Sequence, residues 1–126
     1  MFLRVFFLIS VLFMTGCAGA GGYNDLAPKV IHYGSPTTMR IELYKWGSGS
    51  DKLDKRFTNI TLYYRVVGKH LYNAIPMTPT LDQGKYTAQA VLPAFSPEQG
   101  NEVEYYIDLT LDGVYNKGTP KRIPLV

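Results

Sequence analysis

The sequence predicts an all-β fold, a seven-stranded sandwich. Three observations predict it. Short runs alternate apolar and polar residues with a period of two. Glycine and proline, 12 and 8 of 126 residues, punctuate those runs. No stretch after Cys17 sustains the period of an amphipathic helix. The length fits one domain, large enough to bury a core without a staple.

The chain opens with one basic residue, Arg4, and an apolar run from Val5 to Met14 broken only by Ser10. A run this short suits a secretory signal, because a spanning helix needs about 20 apolar residues. Met14-Thr15-Gly16-Cys17 follows. It resembles the lipobox of bacterial lipoproteins, with methionine where leucine is usual. The resemblance implies a signal peptide at 1–16, lipid transfer to the Cys17 thiol, cleavage before it and acylation of the new amine. Ala18 in place of aspartate resembles the pattern for outer-membrane sorting in a Gram-negative cell. Residues 17–27 begin small and glycine-rich and read as a flexible tether. The folded domain is expected at 28–126.

Lys29–Tyr33 reads as a first strand, closed by Gly34-Ser35-Pro36. Thr38–Trp46 is the second. Its Met39, Ile41 and Leu43 share one face; Arg40, Glu42, Tyr44 and Trp46 share the other. Gly47–Arg56 reads as a polar loop. Ile60–Val67 is the third strand, with Ile60, Leu62, Tyr64 and Val66 inward. Leu71–Met77 is short, and Pro76 and Pro79 suit it to a sheet edge. Asp82-Gln83-Gly84 turns the chain into Lys85–Leu92. Pro93–Asn101 is a loop plugged by Phe95. Glu102–Leu111 alternates best, with Val103, Tyr105, Ile107, Leu109 and Leu111 inward. Asp112-Gly113 is a tight-hairpin signal. The last strand, near Arg122–Val126, is marked by Pro120 and Pro124 and suits an edge.

Seven strands in about 100 residues suit an immunoglobulin-like sandwich. Ile60-Thr61-Leu62-Tyr63-Tyr64-Arg65, Ile75-Pro76-Met77, Tyr86-Thr87-Ala88, Leu92-Pro93, Val103-Glu104-Tyr105-Tyr106-Ile107 and Asp112-Gly113 resemble the immunoglobulin-like and fibronectin type III-like domains of bacterial secreted and envelope proteins. The resemblance covers Ile60–Gly113. It implies that Tyr105 is a tyrosine corner, buried with its hydroxyl bonded to backbone near the preceding loop. It implies a fold and no particular activity.

Composition excludes several classes. One cysteine permits neither an internal disulfide framework nor a cysteine-based zinc site. A formal net charge of +3 is no electrostatic footprint for nucleic acid. His32 and His70 stand in no metal-ligand spacing, and His70, at the turn after Gly68-Lys69, reads as solvated. Ser48 and Ser50 sit in a glycine loop without a nucleophile motif. Glu102, Glu104 and Asp108 share an outward strand face that offers no cleft to tune paired carboxylates. No enzyme, cofactor or metal is expected.

The unusual surface feature is aromatic, since ten tyrosines exceed what a core this size takes. Alternation turns Tyr63, Arg65, Tyr106 and Asp108 outward on neighbouring strands, and this exposed patch is the first candidate binding surface. Tyr44 and Trp46 are the second. The expected role is that of a lipid-anchored envelope protein, held to a membrane by its N-terminal lipid and docking another envelope protein. A glycan-binding module for peptidoglycan or surface polysaccharide is the alternative, as is an accessory lipoprotein of a secretion or phage-derived system.

Overall fold

The computed structural model describes residues 21–45 and 53–126. The signal peptide, Cys17 and Trp46 lie outside the described residues. Two antiparallel sheets face each other across one core. The strands are β1 (Gly21–Asp25), β2 (Thr37–Lys45), β3 (Phe57–Val66), β4 (Asn73–Pro76), β5 (Thr80–Asp82), β6 (Lys85–Leu92), β7 (Glu102–Leu111), β8 (Val114–Asn116) and β9 (Lys121–Pro124). A helical turn, α1 (Leu53–Arg56), precedes β3, and a 3₁₀ turn (Pro97–Gln99) precedes β7. One sheet runs β1-β2-β6-β5. The other runs β9-β7-β3-β4, with β8 also pairing β7.

The longest alternating runs form as expected. β6 and β7 have the bounds read from the sequence. Their inward residues Ala88, Ala90, Leu92, Val103, Tyr105, Ile107, Leu109 and Leu111 are buried with Met39, Ile41, Leu43, Ile60, Leu62 and Val66. Asp112 and Gly113 both have positive φ, as do Gln83 and Gly84. A type I′ hairpin requires this at both central positions. Phe95 plugs the β6–β7 loop as expected.

The first strand is the main difference. Gly21–Asp25 falls in the expected tether, yet it pairs along β2 from Gly21↔Lys45 to Asp25↔Ile41. Glycine-rich sequence reads as coil because glycine stabilises a strand poorly. Here its small size serves the packing: a Cβ on Gly22 would lie 3.1 Å from the Tyr44 hydroxyl. The expected strand Lys29–Tyr33 reduces to a single parallel bridge, Ile31↔Leu125. It is supported by Ile31 N–H donating to the Pro124 carbonyl at 3.0 Å and Tyr33 N–H to the Val126 carbonyl at 2.9 Å. The loop expected at Gly47–Arg56 ends in α1, which buries Leu53, and β3 begins at the buried Phe57. A bulge between Thr58 and Thr61, with Asn59 at φ 52°, lets Phe57 and Ile60 both point inward three residues apart.

The strand expected near Arg122–Val126 forms at the sheet edge as β9, Lys121–Pro124, and β8 is a further short strand before it. β8 and β9 share one edge of β7, interrupted near Gly118. A Cβ there would fall 2.1 Å from the Ile107 carbonyl oxygen, so only glycine fits against that backbone.

Candidate functional site

Antiparallel pairing of β3 with β7 sets Tyr63 opposite Tyr106, Arg65 opposite Glu104 and Thr61 opposite Asp108. These residues occupy the outer face, since their neighbours Leu62, Val103, Tyr105 and Ile107 fill the core. The Tyr63 and Tyr106 rings stack with centroids 4.8 Å apart and planes 16° from parallel. Tyr72, from the segment between β3 and β4, meets Tyr106 edge-on at 4.9 Å. The Arg65 guanidinium lies 4.3 Å above the Tyr72 ring, a cation–π contact.

The expected patch therefore comes together, but it is not uniformly exposed. Tyr63, Arg65 and Tyr106 are half-buried. Asp108, expected to be exposed, keeps 8% of its surface accessible, and Glu104 keeps 9%. Both carboxylates are covered and satisfied by neighbours. Arg65 donates from Nε and Nη2 to Glu104 Oε1 at 2.9 and 2.7 Å, and the Tyr72 hydroxyl donates to the same oxygen at 2.9 Å. Arg122 Nε stands 3.6 Å from Glu104 Oε2. These hydrogen bonds, Arg65 first, hold the Glu104 carboxyl below its ordinary range. Asp108 accepts from the Tyr115 hydroxyl, and from the Gly118 N–H at 3.0 Å. The bond to Asp108 pushes the Tyr115 hydroxyl up to about 12. Burial, then its bond to Glu104, raises Tyr72; burial, then the Asp108 charge, raises Tyr106.

No protein-family model matches the chain, and no curated protein matches its sequence.

A second polar cluster bridges the two sheets. Tyr105 is buried, as expected for a tyrosine corner, but its hydroxyl donates to a side chain rather than to backbone. The acceptor is Asp25 Oδ2, at 2.6 Å. Asp25 Oδ1 accepts from the Ala27 N–H at 2.9 Å, and Lys121 Nζ lies 3.3 Å from Oδ2. Burial and then the Asp25 bond push the Tyr105 hydroxyl well above its ordinary range. Tyr33 does bond backbone, its hydroxyl donating to the Gly100 carbonyl at 2.7 Å.

Of the second candidate pair, Tyr44 is half-buried against Gly22 on β1. His32 and His70 are exposed. Among the described residues, no group of three or more histidines, cysteines or carboxylates is placed to hold a metal ion. Among them too, no helix is long and apolar enough to cross a membrane.

Asp25, Tyr72, Tyr115 and Lys121 were not singled out by the sequence reading. Asp25 was hidden in the glycine-rich tether. Tyr72 and Tyr115 lie where the chain folds back over a sheet, and their spacing from Glu104 and Asp108 carries no signal.

Proposed function

We propose that the protein is a small lipid-anchored envelope protein whose single domain docks another envelope protein through the outer face of β3 and β7. The anchor is the acylated Cys17 that its lipobox-like sequence implies. The connectivity supports an immunoglobulin-like reading: β1, β2, β6 and β5 correspond to strands A, B, E and D. On the same reading, β4, β3 and β7 correspond to C′, C and F, with β8 and β9 as a divided G.

The stacked Tyr63–Tyr106 pair carries the docking proposal. Its rings are fixed by Tyr72 and by cross-strand stacking, so little side-chain freedom is lost on contact. The acidic groups beneath them are already bonded within the protein, so a partner need not satisfy buried carboxylates. Tyrosine and arginine dominate the energetic centres of protein interfaces.

The test is crosslinking in intact cells with Tyr63→Ala and Tyr106→Ala combined in a lipidated, folded variant. The expected result is loss of a specific adduct. Retention of every adduct places the interface elsewhere.

A further inference from the structure

Three residues, 18–20, separate Cys17 from Gly21, where β1 begins. The four peptide steps from Cys17 to Gly21 span at most about 14 Å when fully extended. With β1 part of the sheet, the expected eleven-residue tether shrinks to this short link. The end of the sandwich from which the chain emerges is therefore fixed close to whatever holds Cys17.

That end is identifiable. Gly21 pairs with Lys45, at the end of β2. Gly21 and Gly22 line a hollow with Leu109, Leu111 and Asn116, beside the β7–β8 turn. The Asp112 N–H donates to the Arg56 carbonyl at 2.9 Å, which brings α1 to the same end. Lys85, closing the β5–β6 turn, stands 3.7 Å from Glu42 near the end of β2. This end exposes Leu81 and Val114. It also exposes Lys55, Lys85 and Lys117, against the exposed acid Asp82. Asp112 is paired with Arg56 at 2.9 Å.

We propose that this end of the sandwich rests on the surface of an anionic phospholipid bilayer. The inference depends on the acylation of Cys17 proposed above. Exposed apolar side chains enter the interfacial layer, and lysines reach anionic headgroups. The short link keeps the effective concentration of that surface high. β7, at about 3.3 Å per residue, carries the opposite end roughly 30 Å away. The Tyr63–Tyr106 face then stands upright on the membrane and meets partners side-on.

The test uses the full acylated protein in vesicles of phosphatidylethanolamine and phosphatidylglycerol. Acylation blocks Cys17, so one introduced cysteine carries the only fluorophore. Val114→Cys and Gln83→Cys report the membrane end; Lys69→Cys and Leu71→Cys report the far end. All four positions are exposed. Lipids carrying a headgroup quencher should quench the first pair at least threefold more than the second. Combining Lys55→Gln, Lys85→Gln and Lys117→Gln should at least halve the quenching at Val114→Cys. Equal quenching at both ends, with Cys17 acylated by mass spectrometry, overturns the orientation and leaves the anchor standing. Quenching unchanged by the triple lysine variant overturns the surface contact, because the link alone would then explain it. An unmodified Cys17 overturns the anchor and this inference together.

Discussion

Removing the Tyr105 hydroxyl tests whether Gly21–Asp25 belongs to the fold. The Tyr105→Phe change deletes one 2.6 Å hydrogen bond from a residue that is 4% exposed, and leaves the ring in place. A hydrogen bond to a charged acceptor contributes about 1.5–3 kcal/mol. Asp25 keeps Lys121 and the Ala27 N–H, so the lower end applies, about 1.5–2 kcal/mol. Asp25→Ala costs more, about 2–4 kcal/mol, because it strands a buried hydroxyl and a backbone N–H together. In that background Tyr105→Phe should cost less than about 0.5 kcal/mol, giving a coupling of about 1–2 kcal/mol. Urea unfolding followed by circular dichroism reads these values. With a slope near 1.5 kcal/mol per molar, the single change moves the midpoint by about 1 M. If Tyr105→Phe costs the same in both backgrounds, Asp25 does not bond Tyr105 and β1 is not docked as described.

Other outcomes are expected from the same structure. Glu104 is held low by Arg65 and Tyr72, so its contribution is full above the ordinary carboxylate range and is lost as pH falls through its depressed value; Arg65→Met should move acid unfolding to higher pH. Tyr115 has the opposite sign: its contribution is present below about pH 10 and is lost as pH rises toward about 12. Ultraviolet titration of the tyrosines should show a late component that Asp108→Asn moves to lower pH. Gly118→Ala should destabilise by about 3 kcal/mol through collision with the Ile107 backbone, measured by thermal unfolding. Leu62→Ala, at a fully buried site, should cost about 2–5 kcal/mol in the same assay.

Legibility in the sequence followed the length of each strand's apolar face. β6 and β7 alternate over 8 and 10 residues, and a core that wide leaves one register open to them. β1 has five residues and two glycines, so its pairing is decided by β2 and by Tyr44, not by its own pattern. The candidate patch was half legible. Tyr63 meets Tyr106 because period-two alternation and strand adjacency fix both. Glu104 and Asp108 point outward as read, but Arg65, Tyr72 and Tyr115 return over them and remove them from solvent. Tyr105 was correctly placed inside, whereas its partner lies 80 residues away, beyond any local spacing rule.

A photo-crosslinking amino acid at Ala74 gives the most direct test of docking through this face. Ala74 is exposed on β4 and sits opposite Tyr63 in register. Val91, exposed on the outer face of the other sheet, is the control. In intact cells Ala74 should give a discrete protein adduct that Val91 does not give, and that disappears when Tyr63→Ala and Tyr106→Ala are added. An adduct from Val91 and none from Ala74 would contradict docking through this face.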